Sequence, residues 1–166
     1  ADQLHEGPYG DYVLVVARLE PIKRISLAIR AMAHVAAPVR LIVVGEGSER
    51  DTLERDAARA GVSGRVEFAG AVWGDSVAAL YANALAVVYT PFDEDYGYVT
   101  LEAFLASKPV ITATDSGGPL EFVVDGTNGF VVDPDERAIA AAINRLAADR
   151  SLAERLGRTG QTVART

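Results

Sequence analysis

Cysteine is absent from all 166 residues of the chain. Its absence excludes catalytic thiols, thiolate zinc sites and disulfide staples, and makes a reducing, cytoplasmic setting the default reading. Histidine is almost missing too. His5 lies in the leading arm and His34 in a helical stripe, so neither is expected to have partners for metal or general-base work. Lysine occurs only at positions 23 and 108, and no run of Lys or Arg breaks a balance of 16 basic against 23 acidic residues, net charge -7. A nucleic-acid partner, which needs clustered positive charge to displace counterions from phosphates, is thereby excluded. The longest apolar stretches, Val39 to Val44 and Leu85 to Val88, fall far short of the roughly 20 residues that cross a bilayer. Residues 1 to 11 lack both a basic start and an apolar centre, and read as an entry arm, not a signal peptide.

What the chain does have is apolar mass: 49% of its residues are hydrophobic, enough at this length to build a core without staples or a structural metal. Six short apolar runs rich in β-branched residues recur, at Tyr12 to Ala17, Val39 to Val44, Val66 to Ala69, Ala86 to Tyr89, Val110 to Ala113 and Phe130 to Val132. They are near-continuous, not alternating, as strands covered on both faces are. Helical stripes fall between and after them: Leu27, Ala28, Ala31, Met32 and Val35; Leu53, Ala57 and Ala60; Ile139, Ala142, Ile143 and Leu146. Alternating strands and helices predict an α/β fold, a doubly wound, mainly parallel six-stranded sheet with right-handed crossovers. No repeat or Pro/Ser-rich linker divides the chain, so residues 1 to 166 are read as one domain.

Ligands of such sheets sit outside the carboxyl ends of the strands, and Gly, Pro and charged residues gather there. After the first run come Arg18 and Lys23, separated by Pro21, which delays helix entry. Two cations at that edge would meet a diphosphate, each contributing about 1.5 to 3 kcal/mol through charge-assisted hydrogen bonds. The alternative pairs Arg18 with Glu20 or Glu46 and leaves Lys23 solvated. After the second run, Gly45-Glu46-Gly47-Ser48 reads as a tight turn with Ser48 as helix N-cap; it is misplaced for a dinucleotide fingerprint. The segment Pro91 to Ala103 is a loop entering a helix, where the amides of Gly97, Tyr98 and Val99 form an anion-binding start. Glu102, one turn in, could accept both hydroxyls of a ribose diol, and Glu94 another polyol; acidic residues also collect at helix starts simply to offset the dipole. Ser116 to Glu121 reads as a small anion nest or, on the favoured reading, a turn, with Glu121 solvated or paired. Asp93 and Asp95 lack the further oxygens that would complete a metal shell.

Taken together these residues resemble the C-terminal, donor-binding domain of retaining GT-B glycosyltransferases, the large group 1 family. The likeness is carried by Ala17-Arg18-Leu19 with Lys23, by Val43 to Gly47, by Val66 to Gly70, by Glu94 and Glu102 with seven residues between them, and by Asp125-Gly126 leading to Gly129 to Val132. The resemblance implies a Rossmann-like half of a GT-B enzyme that binds a nucleoside-diphosphate sugar and transfers a hexosyl group to an acceptor hydroxyl. It implies that Arg18 and Lys23 neutralise the diphosphate with the amides of Gly97, Tyr98 and Val99, that Glu102 binds the ribose, and that Glu94 holds donor-sugar hydroxyls. The remaining donor-binding residues are Gly45, Gly47, Phe68 and Ala69, the last two in a segment, Glu67 to Gly70, expected to touch the base. No metal and no cofactor beyond the substrate is implied. Ala17 and Arg24 stand where the family favours glycine and are expected to narrow the phosphate loop; Tyr98 replaces a common Leu or Ile.

The resemblance also implies an N-terminal acceptor domain, which is expected to lie outside these 166 residues. A one-walled cleft admits water and loses orientation. The 166 residues are therefore expected to bind a nucleotide sugar weakly without transferring sugar. The intact enzyme is expected in the cytoplasm, with membrane contact through its other domain left open. Two other functions compete. A sugar-nucleotide epimerase needs a base near the sugar, and a flavodoxin-like binding module needs an acidic cluster after the first strand, where Arg18 and Lys23 sit.

Overall fold

The computed structural model describes residues 4–36 and 38–166. Six strands form one sheet: β1 Tyr12–Val16, β2 Arg40–Val44, β3 Val66–Gly70, β4 Ala86–Val88, β5 Val110–Ala113 and β6 Gly129–Val132. All neighbours are parallel, in the order β3-β2-β1-β4-β5-β6. The six apolar runs are these six strands, with ends shifted by a residue or so. Side chains alternate faces along each strand. Val13 and Val15 accordingly join one core and Leu14 the other.

The helices cover both faces. The first core packs the sheet against α1 (Ile25–Ala31), α2 (Arg50–Arg59) and α5 (Glu136–Ala148), which supply Ile29, Leu53 and Ile143. The second packs it against α3 (Gly74–Ala82) and α4 (Tyr98–Leu105), through Tyr81 and Phe104. A last helix, α6 (Arg150–Arg165), lies close along α4. Gly157 allows this approach, because a Cβ there would stand 1.9 Å from the Ser107 carbonyl oxygen.

One expectation is corrected locally. Ser48 does not cap α2; Glu49 occupies the N-cap position, and no side chain caps the helix. His34 has a structural partner. Its Nε2 lies 3.3 Å from Glu136 Oε2, which ties the end of the first helical stripe to α5. His5, too, is engaged in an interaction.

The arm before β1 is anchored from below by Lys108, a fully buried residue between α4 and β5. Its Nζ donates to the carbonyls of Gly7 (3.1 Å) and Pro8 (2.7 Å) and sits 3.7 Å from the Tyr9 ring centroid. Tyr9 Oη donates in turn to the Ser107 carbonyl at 2.6 Å. Burial pulls the ammonium pKa down to about 8, against the opposing pull of the Glu6 carboxylate.

Because β1 and β4 lie side by side at mid-sheet, the chain leaves β1 toward β2 on one side and β4 toward β5 on the other. Their carboxyl ends bound the crevice where strand order reverses.

Candidate functional site

Three loops lock together at that crevice. After β1, residues Pro21–Lys23 form one 3-10 turn, and Arg24 follows in the left-handed region at φ 50°. After β4, the Phe92 amide donates to the Ile22 carbonyl at 2.9 Å, and the Asp93 and Glu94 amides donate to the Asp115 and Ser116 carbonyls at 2.9 and 2.8 Å. The Gly118 amide returns to the Glu94 carbonyl at 2.6 Å. Ser116 to Glu121 is thus more than a turn: it forms a short bridge that fixes the backbone of Glu94. Its Glu121 is exposed.

Arg24 spans the seam. Its guanidinium holds Asp115 at 2.6 and 3.0 Å with two nitrogens, and donates to the carbonyls of Thr90 and Pro91 at 3.0 and 3.2 Å. That bidentate hydrogen bond lowers the Asp115 pKa, and the Arg24 charge adds to it against a smaller desolvation effect. The side chain expected to narrow the phosphate loop therefore turns to β5 instead, and Arg24 is not among the cavity walls.

A cavity of about 570 Å³ opens between the loops. It brings together Arg18, Lys23, Gly45, Glu94, Tyr98 and Val99 of the residues singled out from sequence. Gly45 is required there on two counts: its φ is 138°, and a Cβ would lie 1.8 Å from the Ala17 carbonyl oxygen. Gly97 occupies the N-cap of α4 and has no side chain to cap the first-turn amides. It is buried against Pro119 and Phe122, behind the cavity wall. Gly47, Phe68 and Ala69 are not wall residues either. Phe68 packs on the first core under the Arg50 guanidinium, 5.1 Å from its ring, while Ala69 packs on the second core. The β3 side of the crevice is instead formed by Ala71, Val72 and Trp73, just past the strand.

Glu102 faces a smaller neighbouring cavity of about 220 Å³, which shares Val16 and Val72 with the larger one. Its Oε1 accepts from Tyr81 Oη at 2.8 Å, and burial together with this carboxylate raises the Tyr81 pKa, so the phenol stays a donor.

Charge is distributed unequally among the cations. Arg18 pairs with Glu20 at 3.0 Å in an exposed contact, with 75% of its own side chain open to solvent. Lys23 is mostly enclosed, and its ammonium donates to Glu94 Oε2. Tyr89 Oη donates to the same oxygen at 2.9 Å. Burial alone would raise the Glu94 pKa, but the hydrogen bonds from Lys23 and Tyr89, the Lys23 charge and the Asp95 amide outweigh it and the pKa is lowered. Glu94 is thus an ionised acceptor at neutral pH.

Several wall residues escaped the sequence reading. Trp73 is 80% exposed and is the chain's one tryptophan; its place three residues past a strand end was the available signal. Tyr96 stacks on Tyr98 at 5.5 Å between centroids, which makes the α4 side of the mouth aromatic. Tyr89 looked like the last apolar residue of a strand, and nothing local marked its hydroxyl. Among the described residues, no group of three or more His, Asp or Glu side chains is placed to hold a metal ion, and no helix is long and apolar enough to cross a membrane.

Comparison with known proteins matches this arrangement. The family model for glycosyl transferases, group 1, covers residues 4–163. The glycosyltransferase LpsE of lipopolysaccharide core biosynthesis in Rhizobium meliloti (strain 1021) is 38% identical over 149 residues, 89% of this chain and 43% of that protein. The structure of HepE from Anabaena in complex with UDP and glucose superposes with a TM-score of 0.86 at 30% identity, covering 93% of this chain and 43% of that one. The C-terminal domain of the group 1 family protein LpcC from Francisella tularensis superposes with a TM-score of 0.82 at 25% identity, over 95% of this chain and 86% of that domain. This chain therefore spans less than half the length of the LpsE and HepE proteins.

Proposed function

The chain belongs to the group 1 glycosyl transferases, and from that premise we propose that it is the donor-binding half of an enzyme that moves a hexosyl group from a nucleoside-diphosphate sugar to an acceptor hydroxyl with retention. One observation carries the proposal: two cations leaving β1, the start of α4 and Glu94 share a single cavity. A diphosphate bound there meets Arg18 and Lys23 on one side and the uncapped amides of Tyr98 and Val99 on the other. Helix-start donors and fixed cations stabilise the charge that grows on the departing diphosphate, and they need no reorganisation as the glycosidic bond breaks. Glu94, ionised, accepts from the hydroxyls of the sugar. Glu102 in the adjoining cavity takes the ribose, and Ala71 to Trp73 lie where a base would extend.

The geometry gives the competing functions less support. An epimerase needs a proton-transfer base beside the sugar, and His34 is bonded to Glu136 away from the cavity walls. A flavodoxin-like module needs carboxylates where Arg18 and Lys23 stand. The reading includes an acceptor wall supplied by a second domain, a cytoplasmic setting supported by the lack of cysteine, and no metal in the transfer. Retention follows the resemblance and is read from the anomeric proton of the product by NMR.

The test is calorimetric titration of the chain with UDP, GDP and ADP and with UDP-glucose, GDP-mannose and ADP-glucose. At least one pair binds, and Lys23→Ala weakens it about tenfold or more. Failure of every nucleotide, or affinity indifferent to Lys23→Ala, overturns the proposal. Sugar transfer by the 166 residues alone would refute the need for a second wall.

A further inference from the structure

Glu94 presents its two oxygens unequally. Oε2 receives both Lys23 Nζ and Tyr89 Oη, whereas among the described residues Oε1 has only the Asp95 amide at 3.3 Å. The two donors on Oε2 differ in what an incoming ligand does to them. A diphosphate competes for the ammonium, because an anion of higher charge draws a flexible cation away from a single carboxylate. A neutral phenol lacks the charge that draws an ammonium to phosphate. Tyr89 is also held firmly: it is 6% exposed, its amide donates to the Ile111 carbonyl at 2.9 Å, and its ring packs in the second core. Burial and the neighbouring Glu94 carboxylate raise its pKa, so it stays a donor throughout the working range of pH.

We propose that Tyr89 is a positioning residue that keeps Glu94 oriented, with Oε1 available to sugar hydroxyls, once Lys23 has turned to the diphosphate. The inference rests on the reading of the cavity as a sugar-nucleotide site and adds a residue to it. Tyr89 touches no reacting atom; it acts through Glu94. Removing its hydroxyl leaves the nucleotide contacts intact and frees the Glu94 carboxylate to rotate when Lys23 leaves. The loss therefore falls on the sugar and not on the nucleotide.

Two measurements on the chain decide the matter. In the first, Tyr89→Phe and the unaltered chain are titrated with UDP and UDP-glucose, GDP and GDP-mannose, and ADP and ADP-glucose. The ratio of sugar-nucleotide to nucleotide affinity is expected to fall about five- to tenfold, with nucleotide affinity unchanged. An unchanged ratio, or an equal loss for both ligands, overturns the proposal. The second needs no ligand. The Glu94 carboxyl is titrated by carbon-13 NMR in a Lys23→Ala background, where Tyr89 is the side-chain donor left to it, with and without Tyr89→Phe. The midpoint is expected to rise by roughly half a pH unit or more on loss of the hydroxyl. Superimposable curves overturn the proposal even when no nucleotide binds, an outcome that would sink the donor-site reading separately.

Discussion

Replacing Lys108 with methionine tests the anchoring of the entry arm. Methionine is of similar length and removes only the proton-binding end. In the unaltered chain the buried ammonium titrates at about 8, against the ordinary 10.5 of a lysine. Below pH 8 both folded and unfolded chains hold the proton, and the unfavourable burial of charge is fully present. Between about pH 8 and 10.5 the unfolded lysine still holds a proton that the folded one has released, so unfolding takes up a proton and stability rises with pH. The slope approaches 1.4 kcal/mol per pH unit and the full span is about 3 kcal/mol. Tyrosines act in the opposite direction above pH 10. Tyr12 is pushed up to about 12, mainly by burial, and burial raises Tyr81 and Tyr89 as well. Unfolded tyrosines ionise near 10, so folded-state stability falls beyond that point. The lysine signature is therefore a gain of about 2 kcal/mol between pH 7 and 9.5, followed by a turnover. Urea denaturation followed by circular dichroism across this range measures it. The Lys108→Met chain gives a flat line up to pH 9.5. Parallel curves for the two chains would refute the reasoning, because they would mean that the buried ammonium has an ordinary pKa.

Arg24→Ala removes a two-pronged carboxylate contact and is expected to cost about 1.5 to 3 kcal/mol in urea denaturation. Arg24→Gly costs about 1 kcal/mol less, because glycine sits without strain at a left-handed position; equal losses would show that the backbone there is not strained. Asp115 and Glu94 have lowered folded pKa values, so their stabilisation is present above the unfolded carboxylate range near pH 4 and is lost as pH falls through the folded values. In Arg24→Ala the Asp115 part of that acid loss is expected to vanish, which thermal melts from pH 5 to 2 will show. Gly45→Ala drives a methyl into the Ala17 carbonyl at a forbidden φ and is expected to lower stability by about 3 kcal/mol or more; an unchanged melting temperature would mean that the β1 and β2 loops can separate freely.

The strands were legible because burial on both faces leaves its mark within the segment itself: Val13 to Val15 and Leu41 to Val44 are apolar wherever they point. Helix α6 was not, since Gly157 and Gly160 interrupt its helical composition and have meaning only against Ser107, just past α4, and Phe104 on α4. At the site, Arg18, Lys23 and Glu94 could be named from chemistry at strand ends. That Arg24 would reach across to Asp115 could not, because its partner lies 91 residues away and only the order of strands brings it near. The Tyr89 hydroxyl was hidden for a similar reason: a tyrosine ending a buried run reads as apolar until its neighbour is known. Trp73 shows the limit from the other side, being visible as a rare residue but assignable to the crevice only once β3 is placed beside β2.

The contact between Lys23 and Glu94 also governs how the crevice greets an anion. A lysine wandering over a surface must be frozen on capture, at a cost of about 2 kcal/mol in side-chain freedom. Here the ammonium is already parked, so capture is a hand-over from one anion to another and not the recruitment of a loose cation. Dissolved salt then acts mainly on the rim, at Arg18, and hardly at Lys23. The ionic-strength dependence of nucleotide affinity should accordingly count one cation where the crevice has two.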